Sequence, residues 1–254
     1  MLWHKAWLET RWRFIAALAI LTVMTAANVY EYVLAQRMMP LAESLVSGDR
    51  SPLGAVIRDA VLVQREFRGF IWYNAFRDTL TTMGVLFAVL LGCGGLLAEN
   101  KKGSALFTLS LPVTRRRLLG IRAATGLAQW FAISMIAPLT IPVLAPSVGQ
   151  QFSIVDSLAH GLCVFFAGAL FYSLASFLST LFGDIWRPML IAFAVACIAA
   201  AAQFAAPEFG VFRVMNGETY FRNGTLPWMG LVTTAVLASA LLYSAAETLE
   251  RKDF

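Results

Sequence analysis

Six runs of about 20 mostly apolar residues dominate this chain and decide what it can fold into. A helix needs about that length to cross the ~30 Å hydrocarbon core of a bilayer. The runs are Phe14–Val33, Thr79–Ala98, Leu118–Leu144, Leu158–Leu181, Pro188–Ala206 and Leu226–Ala246. Hydrophobic residues make up 59% of the 254 and charged residues only 14%, whereas soluble domains average about 25% charged. That balance excludes a disordered chain, a coiled coil and a collagen-like rod, and argues against an ordinary soluble domain. The expectation is an all-α integral membrane protein, with residues 1–254 forming a single transmembrane domain.

Local signals refine the spans. Tyr30 and Tyr32 suit an interfacial belt at the end of span one. Pro138, Pro142 and Pro146 predict a kink or unwinding at the far end of span three, and Pro188 suits the first position of span five. The net charge of +5 reads as topology rather than nucleic-acid binding, because the basic residues cluster beside apolar runs. Twelve of the 20 Lys and Arg residues fall on the side of the termini, counting Arg122, and eight on the other. Both termini are therefore expected in the cytoplasm.

Two segments outside the spans carry helix signals. In MLWHKAWLETRWR, residues Leu2, Trp3, Ala6 and Trp7 share one helical face, away from Lys5, Glu9 and Arg13. This predicts an interfacial helix over residues 1–13, anchored in the headgroups by Trp3, Trp7 and Arg11. Its three tryptophans argue against a cleaved signal peptide. The long loop 36–77 carries Ser51 as a cap, Pro52 as a first position and Leu53, Val56, Ile57, Ala60 and Val61 on one face. That pattern predicts an amphipathic helix outside the bilayer core.

Several chemistries lack their equipment. Cys93, Cys163 and Cys197 each sit inside an apolar run, so they read as buried hydrophobes, not a disulfide framework. No span carries an ionisable residue near its middle, as an ion-coupled transporter would need. No G-x-x-x-x-G-K-[ST] loop occurs, and the run Gly92 to Gly95 follows an apolar helix, where close packing is the better reading. His4 and His160 fall on opposite sides of the membrane, so neither a metal site nor a Ser/His site is expected. Ser173, Ser176 and Thr180 recur at helical spacing on span four. They predict interhelical hydrogen bonds, with a substrate path as the alternative.

The most informative segment joins spans two and three: ENKKGSALFTLSLPVTRRRLLGIR, from Glu99. Gly103 and Pro112 bound a short helix whose Leu106, Phe107, Leu109 and Leu111 could fill a groove on a partner. Arg115, Arg116 and Arg117 could grip carboxylates or anionic lipid. A basic loop that only fixes orientation is the bland alternative.

The pattern Glu99-x3-Gly103-Ser104, then Leu109-Ser110-Leu111-Pro112-Val113-Thr114-Arg115-Arg116-Arg117-Leu118-Leu119-Gly120, resembles the bacterial permease subunits of type-2 ABC exporters. Members of that family carry a Glu and a Gly-Thr or Gly-Ser before a Leu-rich stretch that ends in Ser-x-Pro-Val-Ser-Arg. Ile121-Arg122 departs from it, where members often have Lys. The resemblance implies a permease in the bacterial inner membrane, paired with a second copy or a paralogue. It implies two cytoplasmic ATPase subunits that bind ATP and Mg, with no cofactor on this chain. Glu99 and Gly103 would set coupling geometry, Leu106 to Leu111 with Ser110 and Pro112 would form the docking surface, and Arg115 to Arg117 would anchor it. Residues 1–13 would be an elbow helix, Asp184 and Arg187 a second contact on the same side, and 207–227 an outer re-entrant element. The expected cargo is apolar or amphipathic: a drug, peptide or lipid. A secondary transporter and a membrane scaffold are the competing function classes.

Overall fold

A computed structural model describes residues 2–46, 52–93, 114–205 and 210–251. The described residues form helices and turns. In chain order they are α1 (Leu2–Val46), α2 (Pro52–Val63) and α3 (Phe67–Ile71), then a π-helix (Trp72–Leu80) that runs into α4 (Thr81–Gly92). After the undescribed 94–113 come α5 (Arg115–Leu144), a 3₁₀ turn (Ala145–Val148), α6 (Ile154–Leu181) and α7 (Trp186–Ala205). Two short helices, α8 (Val211–Met215) and α9 (Glu218–Asn223), precede α10 (Trp228–Glu250). Six helical stretches are long and apolar enough to cross a membrane, the layout of a multi-pass membrane protein.

Two boundaries differ from expectation. Residues 2–13 are not a separate interfacial helix: α1 runs unbroken from Leu2 to Val46. No glycine or proline occurs between Leu2 and Met39, so nothing in the sequence ends the helix there. At 1.5 Å per residue α1 is about 68 Å long, more than twice a hydrocarbon core. Span two begins at Phe67 rather than Thr79. Arg68, Asn74, Arg77 and Asp78 make that stretch look like a loop, yet Phe67, Phe70, Ile71, Trp72, Ala75 and Phe76 are buried in the core. Packing of this aromatic face overrides the polar residues on the other. Consequently Arg77 and Asp78 lie inside the Phe67–Gly92 helical stretch rather than in a loop before it.

The amphipathic helix opening at Pro52 is present as α2. Pro138 and Pro142 leave α5 helical, and the winding tightens only at Ala145–Val148, around Pro146.

Span two and α6 form the centre of the bundle. They are the most buried of the six spans, and α7 is the least. The helix α6 touches α4, α5, α7, α8 and α10. Its small residues permit these approaches. A Cβ on Gly161 would lie 2.6 Å from the Ser134 carbonyl of α5, and one on Gly168 would lie 2.3 Å from the Trp130 ring. Ser134 is the residue whose carbonyl Pro138 deprives of an i+4 donor, so the glycine covers a carbonyl that the helix itself leaves open.

Candidate functional site

At the amino-terminal end of the bundle, α1 holds both roots of the 94–113 segment. The Arg13 guanidinium donates to the Leu90 carbonyl at 3.0 Å and to the Cys93 carbonyl, which close the C-terminus of α4. A cation suits that position, because the last carbonyls of a helix lack intrahelical donors and carry partial negative charge. One turn earlier, Glu9 accepts from Arg122 of α5, and Lys5 lies 3.7 Å from Glu9. Gln129 Nε2 donates to Thr10 Oγ1 at 2.8 Å. Thus Glu9, Thr10 and Arg13 face the bundle, while Trp3 and Trp12 stand 57% and 68% exposed. Trp7 packs on Phe14 at 5.4 Å, and Arg11 lies 5.3 Å from the Trp12 ring centre.

Replacement of Arg13 by leucine is expected to speed amide exchange across residues 89–93 about tenfold or more, since hydrogen bonds to a charged group contribute about 1.5–3 kcal/mol. Arg13→Lys should lose less, because one ammonium can still reach a carbonyl. Unchanged exchange in the leucine variant would remove the capping role.

At the far end, α8 and α9 fold back so that Met215, Asn216 and Gly217 are buried. Gly217 has φ +65°, and a Cβ there would lie 2.4 Å from His160 Nδ1. His160 is stacked on Phe76 at 4.2 Å and meets Tyr220 edge-on at 5.4 Å. Trp72 stacks on Phe221 at 4.4 Å and donates from Nε1 to the Asn216 carbonyl at 3.0 Å. Tyr220 donates to Asp156 Oδ1 at 2.9 Å, and Arg68 pairs with the same carboxylate at 3.2 Å. Burial, then the Asp156 carboxylate, raise the Tyr220 phenol above its ordinary pKa, so it stays a donor across the physiological range. This node ties span two, α6 and the α8–α9 hairpin together.

The positions expected to act fall in different places. Glu99, Gly103, Leu106, Leu109, Ser110, Leu111 and Pro112 lie outside the described residues. Arg115 opens α5 behind the Thr114 cap, which accepts from the Arg117 amide. Arg116 reaches Glu250 at 4.0 Å and lies 5.5 Å from the Tyr243 ring centre. Asp184 caps α7 by accepting from the Arg187 amide at 2.9 Å, and the two side chains pair at 3.2 Å. Ser173, Ser176 and Thr180 are buried in α6. Ser176 donates to the Gly92 carbonyl at 3.4 Å and Thr180 to the Phe177 carbonyl at 2.7 Å. The Ser176 bond crosses to α4, whereas the Thr180 bond stays within α6.

The sequence did not point to Glu9, Arg13, Gln129, Arg68 or Asp156. Their partners lie up to 119 residues away, beyond any local pattern. Among the described residues no group of three or more His, Cys, Asp or Glu converges to hold a metal ion. No family model, no curated protein and no solved structure matches this chain.

Proposed function

We propose that this chain is the membrane-spanning permease subunit of an ATP-driven exporter of the type-2 ABC class, docking through residues 99–117 onto a cytoplasmic ATPase dimer. The observation that carries this reading is the grip of α1 on both roots of that segment, Arg13 at its exit from α4 and Glu9 beside its return into α5. A segment rooted this way on two helices would pass a push from below into α4 and α5 together rather than bend alone. Its sequence supplies the matching contact chemistry: apolar Leu106, Leu109 and Leu111, then three arginines. ATP and Mg would bind on the partner chain. A second copy or a paralogue would complete the translocation path.

A tagged pull-down from native membranes in mild detergent tests this reading. A P-loop ATPase in stoichiometric amount is the expected result. Its absence under several detergents would overturn it. A secondary transporter is the second reading, favoured by the exposed Arg77 and Asp78 within span two. It predicts uptake into vesicles driven by an ion gradient without ATP.

A further inference from the structure

Between α4 and α7 lies a cleft of about 680 Å³, within the range of small-ligand sites. Its walls are apolar: Val85 and Leu86 on α4, and Phe193, Ala196, Cys197 and Ala200 on α7. Along α7 it runs from Phe193 to Gln203, about 15 Å at 1.5 Å per residue, which is half the hydrocarbon thickness. The cleft is thus one leaflet deep. Its wall α7 is the least buried of the six spans, so the site adjoins lipid.

One end is polar. Arg77, Gln203, Asn216 and Glu218 line it. Glu218 is already held by Arg222 at 2.9 Å and Arg213 at 3.6 Å, and Arg222 also reaches Asp59 at 3.9 Å. Arg77 rests over the Tyr73 ring at 4.9 Å and the Trp72 ring at 5.7 Å. None of the ion pairs among the described residues joins it to a carboxylate. Its neighbour Asp78 does not line the cleft. Arg77 stands on the π-helical turn of the span, an irregularity frequent at functional sites. A guanidinium within a span calls for an anion, and its fork of donors matches a phosphate.

We propose that this cleft binds an anionic phospholipid of the surrounding bilayer, its phosphate on Arg77 and one acyl chain between α4 and α7. The site needs no ATPase partner and stands apart from the permease reading. The full chain in phosphatidylcholine nanodiscs tests it. These carry, at equal mole fraction, phosphatidylglycerol, phosphatidylcholine or a free fatty acid with a diazirine in the acyl chain. After irradiation, adducts on peptides covering α7 are counted by mass spectrometry. Phosphatidylglycerol is expected to label them about fivefold above phosphatidylcholine, the preference one arginine confers near an anionic headgroup. Arg77→Gln should bring the two lipids level, and Arg77→Lys should restore part of the difference. Equal labelling in the wild type, a preference that survives Arg77→Gln, or labelling by the fatty acid as strong as by phosphatidylglycerol overturns the assignment.

Discussion

Gly168→Leu is expected to lower the thermal midpoint in mild detergent by about 10 °C or more, or to leave no monodisperse protein. A Cβ at this position would lie 2.3, 2.5 and 2.6 Å from three atoms of the Trp130 indole, inside any real contact distance. The indole has nowhere to go. Trp130 is fully buried, and its Nε1 donates to the Phe165 carbonyl at 3.1 Å, one turn before Gly168 on the same helix. Moving the ring would break that bond and open the seam between α5 and α6. Overpacking of this kind typically costs about 1–3 kcal/mol for an added methylene or two, and leucine adds more. Gly120→Leu and Gly183→Leu serve as controls, because among the described residues no atom beyond the local backbone lies within 4 Å of a Cβ at either site. Trp130→Leu combined with Gly168→Ala should recover part of the loss, since the clash is with the ring. A Gly168→Leu protein as stable as the controls would mean that α5 and α6 do not meet there.

Leu109→Asp is expected to reduce co-purified ATPase more than tenfold, equivalent to about 1.4 kcal/mol, with the permease itself eluting unchanged. On the proposed reading, Leu106 and Leu109 are three residues apart and share a helical face that enters the partner's groove. A carboxylate there would be desolvated without a partner, which costs far more than the lost apolar contact. Combined Arg115, Arg116 and Arg117→Ala should weaken retention less and in a salt-dependent way. Arg116 is half exposed, and exposed ion pairs contribute about 0–1 kcal/mol each. Full retention by both variants would reduce the segment to an orientation signal and return the scaffold reading.

The spans show where sequence suffices. Span four was legible as Leu158–Leu181 and folds as Ile154–Leu181, because Ser153 caps it and the run from Leu158 on carries no charged residue. The helix opening at Pro52 was legible for a similar reason: cap, first-position proline and apolar face lie within a dozen residues. The start of span two was not. Its apolar face is carried by six residues spread among Arg68, Asn74, Arg77 and Asp78, and a hydropathy average over that stretch cancels. Nor was the polar clamp. Glu9 and Arg13 look like the solvent side of an interfacial helix until Arg122 and the Cys93 carbonyl are brought against them.

The sequence by itself determined the fold class and the number of spans. Lipid offers no hydrogen bonds, so each apolar run of about 20 residues has to close its own backbone as a helix. Tertiary structure decided which faces of those helices meet. It turned the polar side of α1 inward, set Gly168 against Trp130, drew Arg77 into a span and opened the cleft beside it. The physical reason is range: hydropathy acts over one helix, whereas a carbonyl, a ring face or a counter-charge is satisfied by whatever the rest of the chain brings within a few ångströms.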